Sequence, residues 1–411
     1  MPMPLTLARA LAEVLAHGRR LAATESVPLA AALGRVLAAD VVADGAWPAT
    51  DRAAMDGFAV VAGAGLDAGR SLPVVGESLA GKPFAAHLAA GQAIRIMTGA
   101  VVPVGADAVV AVEQTSGFGG GTVTLNAPVR PGQHVRRAGS ELAAGTVVLA
   151  AGTLVRAAEV GVLAVLGHAA VTVVRRPRVA IVATGDEVVP VERQPLPHQV
   201  RESNSWALAA QVTACGGEAV RLGIAPDAPA PLRALLQRGL ADADVLVTIG
   251  GISAGTHDLV HGELGALGVR TVFHGIDLKP GKPTFFGVLD AANGPRFVFG
   301  LPGNPASSFT VFDLLVRPLL LAMLGRPVGE RTAALPVAGV AWQGNSRFQA
   351  VPARLVATVA GVELELAAPS PSGDPFRLAG TDVYALIPGN TPPGAVRTLG
   401  VAGSSHRNEL P

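Results

Sequence analysis

The spacing of apolar and polar residues changes character at about Arg178. From there the chain alternates apolar runs with stretches of helical spacing, for example RVAIVAT, NSWALAAQVTACGG, PAPLRALLQRGL, ADVLVTIG and RFVFGLPG. This alternation predicts a mostly parallel sheet that is doubly wound, with helices on both faces. We assign this α/β domain to residues 176–326. Residues 1–18 are assigned to the same domain. Arg9 and Glu13 interrupt the apolar run of this segment, which predicts an amphipathic helix and not a signal peptide.

The remaining sequence is typical of β-structure. Residues 45–138 hold short β-like runs (GFAVV, AIRIM, DAVVAVE) between Gly and Pro turns, which predicts a β-rich module. Residues 19–44 and 139–175 surround it, and we expect them to form one flanking mixed domain into which the module is inserted. Short β runs and turns predict that residues 327–411 form a small C-terminal β-barrel or sandwich.

Composition narrows the class of protein. Half of the 411 residues are apolar and 15% are charged, which supports large cores and excludes a disordered chain. The net charge of +1 provides no field for nucleic acid or an anionic membrane. Cys215, the single cysteine, cannot form an intrachain disulfide and argues against structural zinc. No uncharged apolar run reaches the ~20 residues that cross a bilayer, so we expect a cytoplasmic protein.

Three glycine-bearing loops each follow an apolar strand of the α/β block: ATGDE, TIGGISAG and FGLPGNPASS. Ligands of open α/β sheets bind at the carboxyl ends of strands, and glycine lets a backbone approach an anion closely. Any one loop is more simply a tight turn, but three in successive units favour one crevice for a phosphate-bearing ligand. The candidate binding residues are Gly185, Gly250, Gly251, Ser253, Gly255, Pro302, Gly303, Asn304 and Ser307.

Acidic residues accompany these loops. Glu187, Asp227 and Asp258 follow strands of the same block, beside Asp186. Magnesium (Mg2+) prefers oxygen ligands near phosphate and needs only one or two protein carboxylates. For Asp258 alone, a role in the first turn of a helix would be the simpler interpretation.

The segment DLKPGKPTFFG holds two of the three lysines, Lys279 and Lys282, in a chain that otherwise uses arginine. Two ammonium groups on a loop stiffened by proline form a compact site for an oxyanion. The alternative is a solvated surface turn. The scarcity of lysine favours the anion site.

In the β-rich module, Asp51 and Asp56 precede a strand, and Thr98 and Glu113 occupy later loops. These polar loops would line a cleft if the module faced another domain, although their spacing alone is weak support. We interpret the apolar residues Met55, Trp47 and Trp206 as core residues.

Seven ordered motifs, PATDRAAMDGFA, RIMTGAVVPVGAD, ATGDE, ESNS, GGISAGTHD, KPGKP and GLPGNPASS, resemble the molybdopterin molybdenumtransferase family (MoeA and the E domain of gephyrin) over essentially the whole chain. The resemblance implies insertion of molybdate into adenylylated molybdopterin, with magnesium and with release of AMP. It also implies a homodimer whose active site is shared between subunits. Further partners would be the molybdopterin adenylyltransferase and the apoenzymes that receive the cofactor.

The resemblance also implies roles for single residues. Lys279, Lys282 and Pro283 match the segment that holds molybdate, with Ser307 beside it. Glu187, Asp227 and Asp258 match acids on the magnesium and nucleotide side. The matching positions of the β-rich module and the segment after it, with expected catalytic roles, are Asp51, Thr98, Glu113 and Glu141.

The sequence departs from the family pattern at several positions. Glu141 stands where aspartate is usual, and Arg52-Ala53 replace Asn-Ser. Ala350 replaces an arginine, so Arg347 or Arg354 is expected to substitute. Ser372 is matched to a ligand-contacting serine.

Three other functions are alternatives: adenylylation of molybdopterin, a scaffold that clusters partner proteins, and a paralogue that handles tungstate or stores cofactor. The N-terminal region and KPGKP argue against the first, and the absence of a linker or binding tail in this sequence argues against the second. The third stays open, because molybdate and tungstate are dianions of nearly equal size.

Overall fold

A computed structural model describes residues 4–252, 259–328, 333–338, 345–359, 361–368, 373–391 and 398–403. The chain divides into two compact units. The first comprises Met1–Ala38, Gly152–Ala157 and Ala170–Pro411, and the second comprises Ala39–Ala151 and Ala158–Ala169. The division into four domains stays a prediction.

Helices and strands are numbered in chain order. The helices are α1 (Leu7–His17), α2 (Ala157–Val165), α3 (Asn204–Ala214), α4 (Pro229–Asp242), α5 (Leu259–Ala266), α6 (Pro305–Val311) and α7 (Arg317–Met323). The strands up to the first glycine loop are β1 (Leu5–Thr6), β2 (Thr24–Pro28), β3 (Val41–Val42), β4 (Arg52–Ala53), β5 (Gly57–Val60), β6 (Ser71–Ser78), β7 (Ala93–Ile96), β8 (Ala108–Ala111), β9 (Thr122–Thr124), β10 (Val135–Arg136), β11 (Val147–Leu149), β12 (Ala170–Val174) and β13 (Arg178–Thr184). The later strands are β14 (Val188–Val189), β15 (Val200–Arg201), β16 (Glu218–Ala225), β17 (Val245–Ile249), β18 (Arg270–His274), β19 (Ile276–Lys279), β20 (Phe285–Leu289), β21 (Arg296–Leu301), β22 (Ala333–Pro336), β23 (Phe348–Thr358), β24 (Gly361–Leu366), β25 (Val383–Ile387) and β26 (Thr398–Gly403).

A six-stranded sheet in the order β16-β13-β17-β21-β20-β18 forms the centre of the first unit. The pairings among β16, β13, β17 and β21 are parallel. Strands β20 and β18 join antiparallel. The connection from β20 to β21 is a short turn that contains Gly294, and a turn of that length cannot make a parallel crossover. The α/β character predicted for this part of the chain is confirmed.

Alternate residues of the central strands point to opposite faces of this sheet. On one face Ile181, Val247 and Phe299 pack in a core to which α1, α3, α6 and α7 contribute. On the other face Val182 and Leu246 pack with residues of α4 and α5. Helices therefore cover both faces, as the alternating pattern predicted.

Helix α1 is amphipathic, as its sequence indicated. The side chain of Thr6 caps it by accepting a hydrogen bond of 3.3 Å from the backbone N–H of Arg9. Ala10 and Val14 are fully buried against the sheet, whereas Arg9 pairs with Glu13 at 2.8 Å on the exposed side.

The helical run Pro305–Met323 is long and apolar enough to pass a simple test for a membrane span among the described residues. Most of it is buried inside the protein, as expected for the core helix of a folded domain. A π-helical turn at Phe312–Val316 interrupts it. From this turn, buried Asp313 accepts a hydrogen bond of 3.3 Å from the hydroxyl of Tyr384 on β25.

A second sheet of the first unit has the order β1-β19-β23-β25-β26-β22, with β24 paired to β23. Strands β1, β19 and β23 are parallel neighbours. The strands that follow them pair antiparallel, and a single bridge joins Val337 to Leu364 of β24. The small barrel expected at the C-terminus stays a prediction.

The second unit contains a five-stranded sheet in the order β8-β5-β7-β6-β9. Phe58 and Val110 are buried on one face, and Ala59 and Ile94 are buried on the other. The predicted β-rich character is therefore present here.

Candidate functional site

A cavity of 890 Å³ opens at the carboxyl ends of β13, β17 and β21. All three glycine-bearing loops contribute to its wall. The residues from these loops that line it include Gly185, Gly250, Gly251, Pro302, Gly303 and Asn304. The structure thus brings together the three segments that the sequence singled out, whereas Ser253 and Gly255 lie outside the described residues.

The middle loop requires glycine for steric reasons. Gly250 and Gly251 have φ of +88° and +65°, a region that other residues rarely adopt. A Cβ on Gly250 would lie 2.8 Å from Oγ1 of Thr184, and one on Gly251 would lie 2.6 Å from Cγ2 of Val260. Gly303 in turn approaches the Cα of Gly250, 3.6 Å from its own Cβ position. The middle loop can therefore adopt this conformation only because Gly250 and Gly251 lack side chains, whereas a Cβ on Gly303 would make an ordinary van der Waals contact.

In the first loop the carboxylate of Glu187 lies close to Gly185. Gly185 has φ of +130°, and a Cβ there would overlap the carboxylate of Glu187. Glu187 and Asp227 both line the cavity. The backbone N–H of Asp227 donates to Oδ1 of Asp186 at 3.1 Å, and the N–H of Asp186 donates to Oδ2 of Asp227 at 3.4 Å. These reciprocal bonds hold the two acidic loops side by side.

Two carboxylates in the wall of one cavity fit magnesium, which commonly keeps several waters and one or two protein ligands. Across the part of the chain that the structure describes, no three His, Cys, Asp or Glu residues cluster as a ready-made metal site. Asp258, the third predicted acid, lies outside that part of the chain.

The third loop leads directly into a helix. Pro305 begins α6, where its missing N–H is no loss. Ser308 Oγ donates to the carbonyl oxygens of Asn304 and Pro305 at 3.3 and 3.1 Å. Ser307 is buried, and it is not among the residues that line the cavity. Its expected contact with the ligand stays a prediction.

Residues 279–283 form the lysine loop, which is held in place by a close steric contact and by two hydrogen bonds. Gly281 has φ of +124°, and a Cβ there would lie 2.6 Å from Cγ2 of Val311. The Thr284 hydroxyl donates to the Gly281 carbonyl at 2.6 Å, and the Ile276 N–H donates to the Lys282 carbonyl at 3.0 Å.

Both lysines of this loop are exposed, and neither pairs with an acid among the described residues. Pro283, next to Lys282, lines the cavity. The loop therefore presents free ammonium groups close to the glycine loops.

The position of the missing family arginine, Ala350, is buried in the core. Arg347 lies close to β19, the strand that ends at Lys279, because Nη1 of Arg347 is 3.5 Å from the carbonyl oxygen of Leu278. Arg354 instead lies against Gly380, whose Cβ position is 2.9 Å from Nη2. Ser372 lies outside the described residues.

Several residues that line the cavity were not predicted as site residues, and the side chain of one of them, Asn204, contacts a glycine loop. Asn204, at the start of α3, lines the cavity and donates a hydrogen bond of 2.7 Å from Nδ2 to the Gly303 carbonyl. It belongs to the ESNS motif, which contributed to the resemblance but was given no chemical role. Glu202 of that motif is buried and accepts hydrogen bonds from the N–H and hydroxyl of Ser205 at 2.7 and 2.5 Å.

The candidate residues of the second unit have defined partners. The carboxylate of Asp51 accepts from Nη1 of Arg137 at 2.7 Å and from the N–H of Ala138 at 2.8 Å. Asp56 accepts from both the N–H and the hydroxyl of Thr98, each at 2.7 Å, and these bonds lower the pKa of the Asp56 carboxyl. The carboxylates of Asp51 and Asp56 therefore accept hydrogen bonds from different residues.

The segments that carry these residues meet one another. Arg52 Nη1 donates to the Gly99 carbonyl at 2.9 Å, and the Val112 N–H, beside exposed Glu113, donates to the Asp56 carbonyl at 2.9 Å. Glu141, which stands where the family usually has the shorter aspartate, forms an ion pair with Arg136. Its charge therefore already has a partner within the second unit.

Three apolar residues expected in the core are exposed instead. Met55, Trp47 and Trp206 keep 40%, 50% and 48% of their surfaces accessible. For Trp206 the reason is visible, since its indole stacks on the guanidinium of Arg221 and not on core side chains.

Comparison with known proteins places the chain. Residues 5–167 match the MoeA N-terminal region (domain I and II), and residues 180–322 match a probable molybdopterin binding domain. Molybdopterin molybdenumtransferase 2 of Mycobacterium tuberculosis is 38% identical over 82% of this chain and 85% of the relative. Molybdopterin molybdenumtransferase of Nostoc sp. is 39% identical over 74% and 71%. The crystal structure of the molybdopterin biosynthesis MoeA protein from Pyrococcus horikosii is 30% identical, with a TM-score of 0.81 over 98% of this chain and 99% of that one. Fold, cavity and these likenesses agree, and the chain belongs to the molybdopterin molybdenumtransferase family, the MoeA transferases of molybdenum cofactor biosynthesis.

Proposed function

We propose that this protein inserts molybdate into adenylylated molybdopterin in a magnesium-dependent reaction that releases AMP. The observation that supports this most directly is one cavity that gathers three glycine loops, two carboxylates and the end of the lysine loop. A ligand with a central pyrophosphate matches that combination of groups, because glycine N–H groups and lysine ammonium groups favour negative charge and the two carboxylates would hold a magnesium ion that offsets it.

The glycine loops would hold the pyrophosphate. Gly250, Gly251 and Gly303 offer backbone without side chains, so phosphate oxygens can approach the N–H groups of Gly251 and Gly303 closely. The N–H of Gly250 already donates to the carbonyl oxygen of Leu301 at 3.0 Å, so Gly250 contributes space and not a donor. Asn204 would keep Gly303 in place through the bond to its carbonyl oxygen. Ser253, Gly255, Ser307 and Ser372 are proposed as further contacts on the basis of the resemblance.

Glu187 and Asp227 would hold magnesium, with Asp258 as a third ligand by resemblance. When bound, the ion offsets the charge that develops on the phosphates and on the leaving AMP. The chain itself contributes the fixed position of these carboxylates, since the reciprocal bonds between Asp186 and Asp227 hold their loops together.

Lys279 and Lys282 would bind molybdate, a tetrahedral dianion. Their ammonium groups are exposed and unpaired by acids of the described chain, so they are available to an external anion. Pro283 joins this loop to the cavity wall, and Arg347 lies beside the same strand. An oxygen of molybdate or of water would then attack the phosphorus on the pterin side of the pyrophosphate. The bond from that phosphorus to the bridging oxygen would break, and AMP would leave with the bridging oxygen.

We also propose a cytoplasmic homodimer in which Asp51, Thr98, Glu113 and Glu141 of one protomer serve the site of the other. The molybdopterin adenylyltransferase would supply the substrate, and recipient apoenzymes would take the product. These assignments rest on the family resemblance. Sedimentation of the purified protein tests the dimer directly, and a monomer at assay concentrations would exclude a shared site.

The test of the reaction is AMP release from adenylylated molybdopterin, measured with and without magnesium and molybdate. We expect Lys279→Ala and Asp227→Asn to lower the rate by roughly 100-fold, since each removes a charge aimed at the reacting groups. Lys82→Ala and Asp242→Asn are matched controls, because both residues are exposed and have no described side-chain partner. Equal rates in controls and site variants, or no AMP release by wild type, would exclude the proposed reaction.

A further inference from the structure

A second cavity of 520 Å³ adjoins the first at the glycine loop that contains Gly185. The two cavities share the lining residues Gly185, Val188 and Glu202. The second cavity contains no residue of the lysine segment, whereas Pro283 lines the first. The pair of cavities therefore has one end beside the lysines and one end away from them.

The far end carries an immobilised aromatic ring. The guanidinium of Arg221 lies 3.5 Å from the ring centroid of Trp206, a close cation–π stack. Arg221 is itself fixed, because Nε donates to the Ser205 hydroxyl at 2.8 Å and Nη2 lies 3.7 Å from Oε2 of Glu202. With one face covered, Trp206 still exposes 48% of its surface, and it lines the cavity.

We infer that this second cavity is the subsite for the adenine base of the nucleotide, which stacks on the indole of Trp206. The inference rests on the proposed function. If molybdate is held at Lys279 and Lys282, the dithiolene of the pterin must lie at that end. The base, on the other side of the pyrophosphate, then extends past Gly185 toward Trp206.

The second cavity has an aromatic side chain, Trp206, in its lining, whereas the described residues that line the first cavity include none. Asp186, Glu192 and Glu202 also line the second cavity, and Arg221 is the cationic residue among its lining side chains. The lining of the first cavity likewise holds three carboxylates and one arginine, so the ring of Trp206, and not the charge, marks the second cavity as the place for the base. Planar bases stack on aromatic side chains without needing a specific hydrogen-bond pattern.

Equilibrium dialysis of the full-length protein against AMP tests the subsite. We expect Trp206→Leu to weaken AMP binding about tenfold, as one lost base–aromatic stack implies. Trp206→Phe should stay within about threefold of wild type, since it keeps a ring. Pyrophosphate, which lacks a base, should bind to wild type and to Trp206→Leu with equal affinity.

Arg221→Gln supplies a second variant, which we expect to weaken AMP binding because it frees the indole. Arg178→Gln is its control, since Arg178 begins the neighbouring strand at the opposite end and pairs with Glu218 at 3.2 Å. Equal AMP affinity in wild type and Trp206→Leu, from a wild type that releases AMP from its substrate, would overturn the subsite and leave the reaction intact. Parallel loss of AMP and pyrophosphate binding in Trp206→Leu would also overturn it, by showing a general structural role. A wild type that neither binds nor releases AMP would overturn the proposed function and the subsite together.

Discussion

The side-chain amide of Asn204 donates a hydrogen bond of 2.7 Å to the carbonyl oxygen of Gly303. This bond ties the first residue of α3 to the loop that leads into α6, and both residues line the cavity. Gly303 has no side chain of its own through which its position could be fixed. The placement of one glycine backbone in the proposed pyrophosphate site therefore depends on a residue from another element.

We predict that Asn204→Ala lowers kcat/KM for AMP release about tenfold. The free energy of unfolding should fall by only about 1 kcal/mol, the usual worth of one hydrogen bond. Asn126→Ala is the control, because its Nδ2 makes a similar bond of 2.8 Å to the Thr115 carbonyl, far along the chain in the second unit. Steady-state kinetics and urea unfolding of both variants decide the matter. Equal kinetic effects in the two variants would show that Asn204 acts through stability alone.

Two glycines allow a comparison of steric need. Gly251→Ala must place a methyl group 2.6 Å from Val260 at a φ of +65°. We therefore expect the free energy of unfolding to fall by about 2–4 kcal/mol and AMP binding to weaken as well. Gly262 lies on the exposed face of α5, and a Cβ there would have no atom within 4 Å outside the helix's own backbone. Gly262→Ala should therefore stabilise the protein by about 0.5–1 kcal/mol. Thermal unfolding and AMP dialysis of the two variants give the comparison. A Gly251→Ala protein with wild-type stability would show that the loop has room for a side chain.

A partly buried ion pair lies at the start of the central sheet. Arg175 donates to both carboxylate oxygens of Asp244, at 2.9 and 3.0 Å, and Asp244 also accepts from the Arg178 N–H at 2.8 Å. The hydrogen bond to Asp244 raises the pKa of Arg175 further. We predict that Asp244→Ala costs about 3 kcal/mol, because it leaves a partly buried guanidinium without its partner. Asp242→Asn, at an exposed position nearby, should change the stability by less than 0.5 kcal/mol, as is usual on a surface. Chemical denaturation of both variants measures the difference, and similar small losses would place the pair among weak surface bridges.

The glycine loops, the lysine loop and the α/β sheet could be predicted because each is local in sequence. An apolar run followed by glycine marks the carboxyl end of a strand, and strand order then brings three such ends together. The Trp206–Arg221 stack could not be predicted, because it joins α3 to β16 and requires that an indole stay outside the core. Asn204 was missed for the same reason, since its partner Gly303 is distant in sequence. The pairing of Asp56 with Thr98 likewise depends on two loops that meet only in the folded second unit.

The single cysteine gives a prediction about pH. Burial raises the pKa of the Cys215 thiol from 9.0 to about 12, against a smaller opposing effect of Arg317. The raised value means that the thiol favours folding fully below pH 9, where both states are protonated. Between about pH 9 and 12 only the unfolded chain ionises, so stability should fall by up to about 1.4 kcal/mol per pH unit from this group.

Urea unfolding of wild type and Cys215→Ala between pH 8 and 10.5 tests this expectation. The alanine variant should be less stable at pH 8, because a small cavity replaces the thiol. The gap between the two proteins should narrow as the pH rises above 9, since only wild type loses the contribution of the buried thiol. A thiol-specific reagent provides an independent check, because the native protein at pH 8 should react far more slowly than the urea-unfolded chain. A constant stability gap together with rapid labelling of the native protein would mean that Cys215 is open to solvent.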